Sequence, residues 1–195
     1  ASYPYDSLEE GFGEVSYYHS AYEDNTGKEY LIAKPISYSS DIQVSYYNLN
    51  GNDTKTFYTG TFARPRTIKG TINITFCTRM LGQTAHSPVG SVYYQIKIYH
   101  YDGSTSTQIG STWQSQTVTT SSDWVAKTEA INAIIPITTS KKFRTGDQIK
   151  IEVITYGVVV NNGRIVYGID PQNRDGDDHA DIDLKPSERS SDFTQ

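Results

Sequence analysis

The run Phe143-Arg144-Thr145-Gly146-Asp147-Gln148-Ile149-Lys150-Ile151-Glu152-Val153 constrains this chain more than any other stretch. An aromatic residue leads into a Gly-Asp turn, after which apolar Ile149, Ile151 and Val153 alternate with polar Gln148, Lys150 and Glu152. A period of two puts one set of side chains on a buried face and the other in water, which is the pattern of a half-buried antiparallel strand. Gly146 admits the positive φ that a tight turn often needs, and Asp147 can bond back to nearby backbone groups. This is a scaffold signal, so function is to be sought on the surface and at the ends.

Similar alternation recurs along residues 30–33, 42–47, 55–62, 67–80, 108–118, 124–137 and 164–169. It is clearest where Val92, Tyr94, Ile96 and Ile98 face inward and Tyr93, Gln95, Lys97 and Tyr99 face outward. Residues 48–53 read as a turn, Asp102-Gly103 as a hairpin turn, and Trp113 and Trp124 as core anchors. No helical period is sustained; a helix is an alternative only over 126–134, where Ala and Glu cluster. Several short strands at regular spacing predict an all-β fold, an antiparallel β-sandwich of jelly-roll type. We place the sandwich at residues 29–169, between an N-terminal arm (1–28) with at most one short strand and a polar acidic C-terminal tail (170–195).

Composition narrows the function. The 195 residues suit one domain with arms, and Lys+Arg 17 against Asp+Glu 22 gives a net charge of -5. That balance argues against a general nucleic-acid binder, which carries a basic stripe. A single cysteine, Cys77, excludes an internal disulfide framework and a Cys-rich zinc site, and reads as a structural thiol. No run of about 18 apolar residues exists, so no membrane span is expected. The segment 1–6 is neither basic nor apolar and is not a signal peptide, although a trimmed secreted chain reads the same way. Tyrosine is unusual at 16 residues. It favours pleated, half-wet surfaces, and it is enriched where proteins bury surface against one another.

Candidate chemistry is sparse. The acidic cluster of 170–183 resembles a calcium loop: if Gly176 is the turn glycine, Asn173, Asp175 and Asp177 fall in ligand places. Pro171 and Ile182 then occupy the first and last places, and Arg174 adds a positive charge, so a solvated acidic tail without any cofactor competes with that reading. His19, His86, His100 and His179 are scattered, and there is neither a GxSxG elbow nor a phosphate loop. A non-enzymatic protein is therefore expected. A carbohydrate-binding module could stack sugars on Tyr93, Tyr99, Tyr101, Trp113 or Trp124; against this, the tryptophans read as core and the outward tyrosines as facing protein.

Two segments carry a family resemblance. Phe143-Arg144-Thr145-Gly146-Asp147 with its alternating strand resembles the penultimate-strand pattern of jelly-roll-like virion structural proteins of tailed viruses. Tyr167-Gly168-Ile169-Asp170-Pro171-Gln172-Asn173-Arg174-Asp175 is similar to the small-x-Asp-Pro-x-Asn-Arg-Asp exit segment of head and neck proteins of such viruses. The resemblance covers residues 90–186 and departs at Ile182-Asp183-Leu184-Lys185-Pro186, a reduced version of a further apolar strand ending in Pro-Phe. It implies a virion structural role: a capsid decoration (cement) or head-to-tail collar component, made in the host cytoplasm and residing in the virion. The expected partners are the major capsid protein or neighbouring virion proteins and further copies of the chain, with no nucleic acid and no membrane. Tyr3, Tyr5, Phe12, Tyr17 and Tyr18 of the arm and Phe193 of the tail are the expected contact residues. The alternative is a carbohydrate-binding β-sandwich module of a secreted enzyme or appendage.

Overall fold

In the computed structural model, residues 16–23, 26–32, 46–47, 49–81, 90–120, 127–159, 164–167 and 191–194 are described. Among them every regular element is a strand and none is a helix. The strands are β1 (Ser16–Glu23), β2 (Glu29–Ile32), β3 (Tyr46–Tyr47), β4 (Asn50–Tyr58), β5 (Arg66–Leu81) and β6 (Gly90–Tyr101). They continue as β7 (Ser106–Gln114), β8 (Val118–Thr120), β9 (Lys127–Phe143), β10 (Gln148–Val159), β11 (Arg164–Tyr167) and β12 (Ser191–Thr194).

The alternating run is β10, and it lies between β4 and β6, antiparallel to both. Hydrogen bonding runs along the path β3-β11-β5-β12-β1-β2-β4-β10-β6-β7, with β9 added on β5 and β8 on β6. Among the described residues only β2 and β4 pair in parallel. The path folds back on itself, so two layers share one core. Ile72, Ile74 and Phe76 of β5 with Ile131, Ala133, Ile135 and Ile137 of β9 form one inner face. Val92, Tyr94, Ile96 and Ile98 of β6 with Ile149, Ile151 and Val153 of β10 form the other. Phe76 and Tyr94 meet across the interior edge to face at 5.4 Å. Each buried Val or Ile among them stabilises the fold by roughly 1.5–3 kcal/mol of transfer free energy. The protein is an all-β sandwich, as the alternation predicts.

Three local features depart from or extend the sequence reading. Residues 127–143 form strand β9 rather than the alternative helix. Ile131, Ala133, Ile135 and Ile137 keep period two against β5, so burial on a pleated face overrides the helix propensity of Ala and Glu. Strand β4 begins at Asn50, inside the stretch read as a turn, because Tyr156, Gly157 and Val158 of β10 hold Asn52, Gly51 and Asn50 in register. Near the C-terminus, Ser191–Thr194 has no apolar run, yet β12 lies between β1 and β5 and joins both ends of the described chain into one layer. Trp113 packs half-buried against the core, whereas Trp124 lies outside the described residues.

Candidate interaction face

The outer face of β4, β10 and β6 is built by register. Cross-strand rows read Tyr58–Lys150–Tyr99, Thr56–Glu152–Lys97, Thr54–Ile154–Gln95 and Asn52–Tyr156–Tyr93. Side chains directly opposite one another on one face of a sheet are close enough to interact. Tyr93 and Tyr156 stack with centroids 5.1 Å apart and planes 10° from parallel. Lys150 Nζ lies 5.1 Å from the Tyr99 ring centroid and 2.7 Å from Glu152 Oε1. Tyr99 donates its hydroxyl to Glu152 Oε2 at 2.8 Å. Burial first, then that hydrogen bond and the Glu152 charge, push the Tyr99 phenol up to about 12. The Tyr58 phenol is also raised, by burial above all, with Lys150 opposing and with Tyr101 and Glu152 adding to the effect.

Lys28, just before β2, closes one end of this face. Its Nζ lies 3.9 Å from the Tyr58 centroid, 4.8 Å from Tyr101 and 5.6 Å from Tyr30, and donates to Gln148 Oε1 at 2.8 Å. Tyr58 and Tyr101 meet edge to face at 5.3 Å. Each of the five tyrosines on this face therefore has a ring face covered from within the chain. Tyr93 and Tyr156 cover each other, Lys150 covers Tyr99, and Lys28 covers Tyr58 and Tyr101. Val158, 48% exposed, carries apolar surface beyond the stack.

Beside this face, the Gly146-Asp147 turn holds a second arrangement. His100 continues the inward parity of Val92 to Ile98 and reaches Asp147, whose residue is only 5% exposed. Phe62 brackets the turn: its N–H donates to Asp147 O at 2.9 Å and its carbonyl accepts from Gly146 N at 2.9 Å. The turn keeps its structural meaning and gains a half-buried hydrogen-bonding partner in His100.

Of the expected contact residues, Tyr17 is half-buried against the core, and burial raises its phenol while Arg66 lowers it. By register Phe193 lies opposite Tyr17 and Ile74, and Tyr18 lies opposite Asp192 and Ile32. Tyr3, Tyr5 and Phe12, and the calcium candidates Asn173, Asp175 and Asp177, lie outside the described residues. Among the described residues no three His, Cys, Asp or Glu side chains are grouped to hold a metal ion, and no helix is long and apolar enough to cross a membrane. Sequence reasoning found the outward tyrosines of β6 but missed Tyr58, Tyr156 and Lys28, which join them only through strand register. His100 did leave a signal, as a polar residue at a core-facing position.

No family model matches this chain, and no curated protein matches its sequence. Among solved structures, a CocE/NonD family hydrolase from Staphylococcus aureus is similar at 11% identity and a TM-score of 0.47, over 93% of this chain and 36% of that one. An α-amino acid ester hydrolase is similar at 11% identity and a TM-score of 0.47, over 93% of this chain and 33% of that one. The infectious bursal disease virus Gx strain structure is similar at 16% identity and a TM-score of 0.34, over 80% of this chain and 33% of that one. The chain spans about a third of the length of these proteins. Likenesses of this size say nothing about activity.

Proposed function

We propose that the chain is a non-enzymatic structural protein of a virus particle, a capsid decoration (cement) or head-to-tail collar component. It holds neighbouring virion proteins, including further copies of itself, through the outer face of β4, β10 and β6. The observation that carries this reading is the internal covering of the tyrosine ring faces. A sugar-stacking platform offers flat, open rings. Here one face of each ring is packed against another ring or an ammonium group. The Tyr99 and Tyr101 hydroxyls bond Glu152 and Gly103 O, so ring edges and the hydroxyls of Tyr58, Tyr93 and Tyr156 remain for contact. Tyrosine presented in this way suits a protein interface, where the ring packs and the hydroxyl finds a partner. The resemblance of residues 143–147 and 167–175 to virion proteins of tailed viruses supports the same reading.

Two measurements test it. Immunogold labelling of particles from the native source should decorate the virion, and unlabelled particles would sink the particle role. Size-exclusion with light scattering should give a multimer that Tyr93→Arg with Tyr156→Arg converts to a folded monomer. A wild-type monomer at tens of micromolar, or a multimer indifferent to both changes, would remove this face from assembly.

A further inference from the structure

The seam between β7 and β9 has a construction that the tyrosine face does not explain. Each strand ends a hydrogen-bonded path, and among the described residues the two lie side by side without pairing. Both are irregular where they approach. β7 gains residues between the pairs Ile96–Trp113 and Ile98–Ile109, and β9 gains them between Ile68–Lys141 and Gly70–Ile137. The β7 bulge places Gly110, at φ 70°, so near β9 that a Cβ there would meet Ile137 Cδ1 at 2.7 Å and Pro136 O at 3.1 Å. Next to this contact a groove of about 550 Å³ stands open between the strands. That volume falls within the range of small-ligand sites, roughly 300–1,000 Å³.

The lining has a definite chemistry. Ser111, Thr138, Thr139 and Ser140 supply hydroxyls, Gln108 an amide and Lys141 an ammonium, over the apolar side chains of Ile109 and Pro136. No Asp or Glu lines the groove, in a chain whose net charge is -5. Among the described residues Ser111, Thr138, Thr139, Ser140 and Lys141 have no side-chain hydrogen bond or ion pair. Gln108 is held in place, its Nε2 donating to Thr112 Oγ1 at 3.1 Å and Gly110 O at 3.4 Å. Its amide oxygen is therefore presented as an acceptor.

An added peptide strand fits this seam poorly. Pro136 lacks an N–H in the middle of the β9 edge, and the bulge at residues 110–112 takes β7 out of ladder geometry. Both devices blunt an edge against strand addition. A polyhydroxylated ring fits better. Its hydroxyls donate and accept as Ser and Thr hydroxyls do, and its C–H face can rest on Ile109 and Pro136. Lys141 adds one unopposed positive charge.

We propose that this groove binds a short saccharide of one or two rings, an acidic one in preference to its neutral counterpart. The inference stands on the seam alone and does not depend on the particle role. A glycan array carrying neutral, uronic-acid and sialylated oligosaccharides tests it, with Lys141→Ala and Thr139→Trp alongside the wild type and their folding checked by thermal unfolding. Thr139→Trp should abolish binding by filling the groove. Lys141→Ala should remove the preference for acidic glycans, a weakening of about tenfold for one charge-assisted hydrogen bond. No binding by the wild type, or binding untouched by Thr139→Trp, would overturn the site. Preference for neutral glycans, or an acidic preference that survives Lys141→Ala, would overturn the assignment of the ligand's charge.

Discussion

His100 of β6 and Asp147 of the turn before β10 meet with Nε2 2.5 Å from Oδ2, forty-seven residues apart in the chain. The same carboxylate oxygen accepts the Arg144 N–H at 2.7 Å, and the Phe143 ring stands against the imidazole at 4.5 Å. The turn between β9 and β10 is thereby tied to the end of β6, the ladder partner of β10, and Phe143 and Gln148 on either side of the turn are buried.

This contact gives the stability a pH dependence at its acid end. Burial pushes the Asp147 carboxyl up, but the Arg144 N–H, the His100 imidazole and the Arg144 charge outweigh it and hold it below the usual carboxylate range. A depressed folded-state value contributes stability that is present above the unfolded value, about 3.9, and is lost as pH falls through the folded value. Asp147→Asn should cost about 1–3 kcal/mol at neutral pH. Urea unfolding from neutral to strongly acidic pH should show the gap to wild type narrowing as pH falls below the ordinary carboxylate value. A gap that is constant with pH would contradict a stabilising role for the bonds to this carboxylate.

At the alkaline end Tyr99 acts in the opposite sense. Its phenol is raised, so its contribution is full below the ordinary tyrosine value near 10 and is lost as pH rises toward about 12. The phenolate absorbance difference between wild type and Tyr99→Phe should have its midpoint near 12. Glu152→Gln should move that midpoint down, because it removes the nearby negative charge. A midpoint at the ordinary value would show that burial and the Glu152 bond have no effect.

Two glycines separate steric cost from backbone cost. Gly157, at φ 144°, would drive a Cβ into the Ser91 carbonyl oxygen, whereas Gly51 opposite it, at φ 109°, has nothing within 4 Å of that position. Gly51→Ala should cost roughly 1–3 kcal/mol of strain. Gly157→Ala should cost more, by about 1–3 kcal/mol of overpacking between β10 and β6. Equal losses in thermal unfolding would rule out the steric part.

In the core, Tyr94 and Thr78 share a buried hydroxyl–hydroxyl bond of 2.7 Å between the two layers. Tyr94→Phe alone should cost about 1–3 kcal/mol, because the Thr78 hydroxyl stays buried without that partner. Adding Thr78→Val should recover part of the loss. A double-mutant cycle with no coupling would show that the bond contributes nothing.

Much of this was legible in the residues. Ile149, Ile151 and Val153 are buried as their alternation requires, and so are Val92, Tyr94, Ile96 and Ile98. Asp102-Gly103 turns as read, with Asp102 Oδ1 accepting from Ser104 N, Ser104 Oγ and Thr105 N. The stretch 126–134 was ambiguous, because Ala and Glu favour a helix locally while the isoleucines beyond them call for a pleated face. The tyrosine face and the groove were only half visible: each strand's outward residues can be named, but not which strand they stand beside.

The residues alone therefore fix the fold class and the sidedness of each strand. Sidedness follows from a period of two, a property of neighbouring residues that needs no knowledge of distant ones. The folded molecule adds that β12 enters between β5 and β1, that Tyr156 stacks on Tyr93, that His100 finds Asp147, and that the bulges of β7 and β9 face across an open seam. Those outcomes depend on pairing and register between segments far apart in the chain. Pairing and register are settled by the collective burial of two sheets, and local periodicity does not encode them.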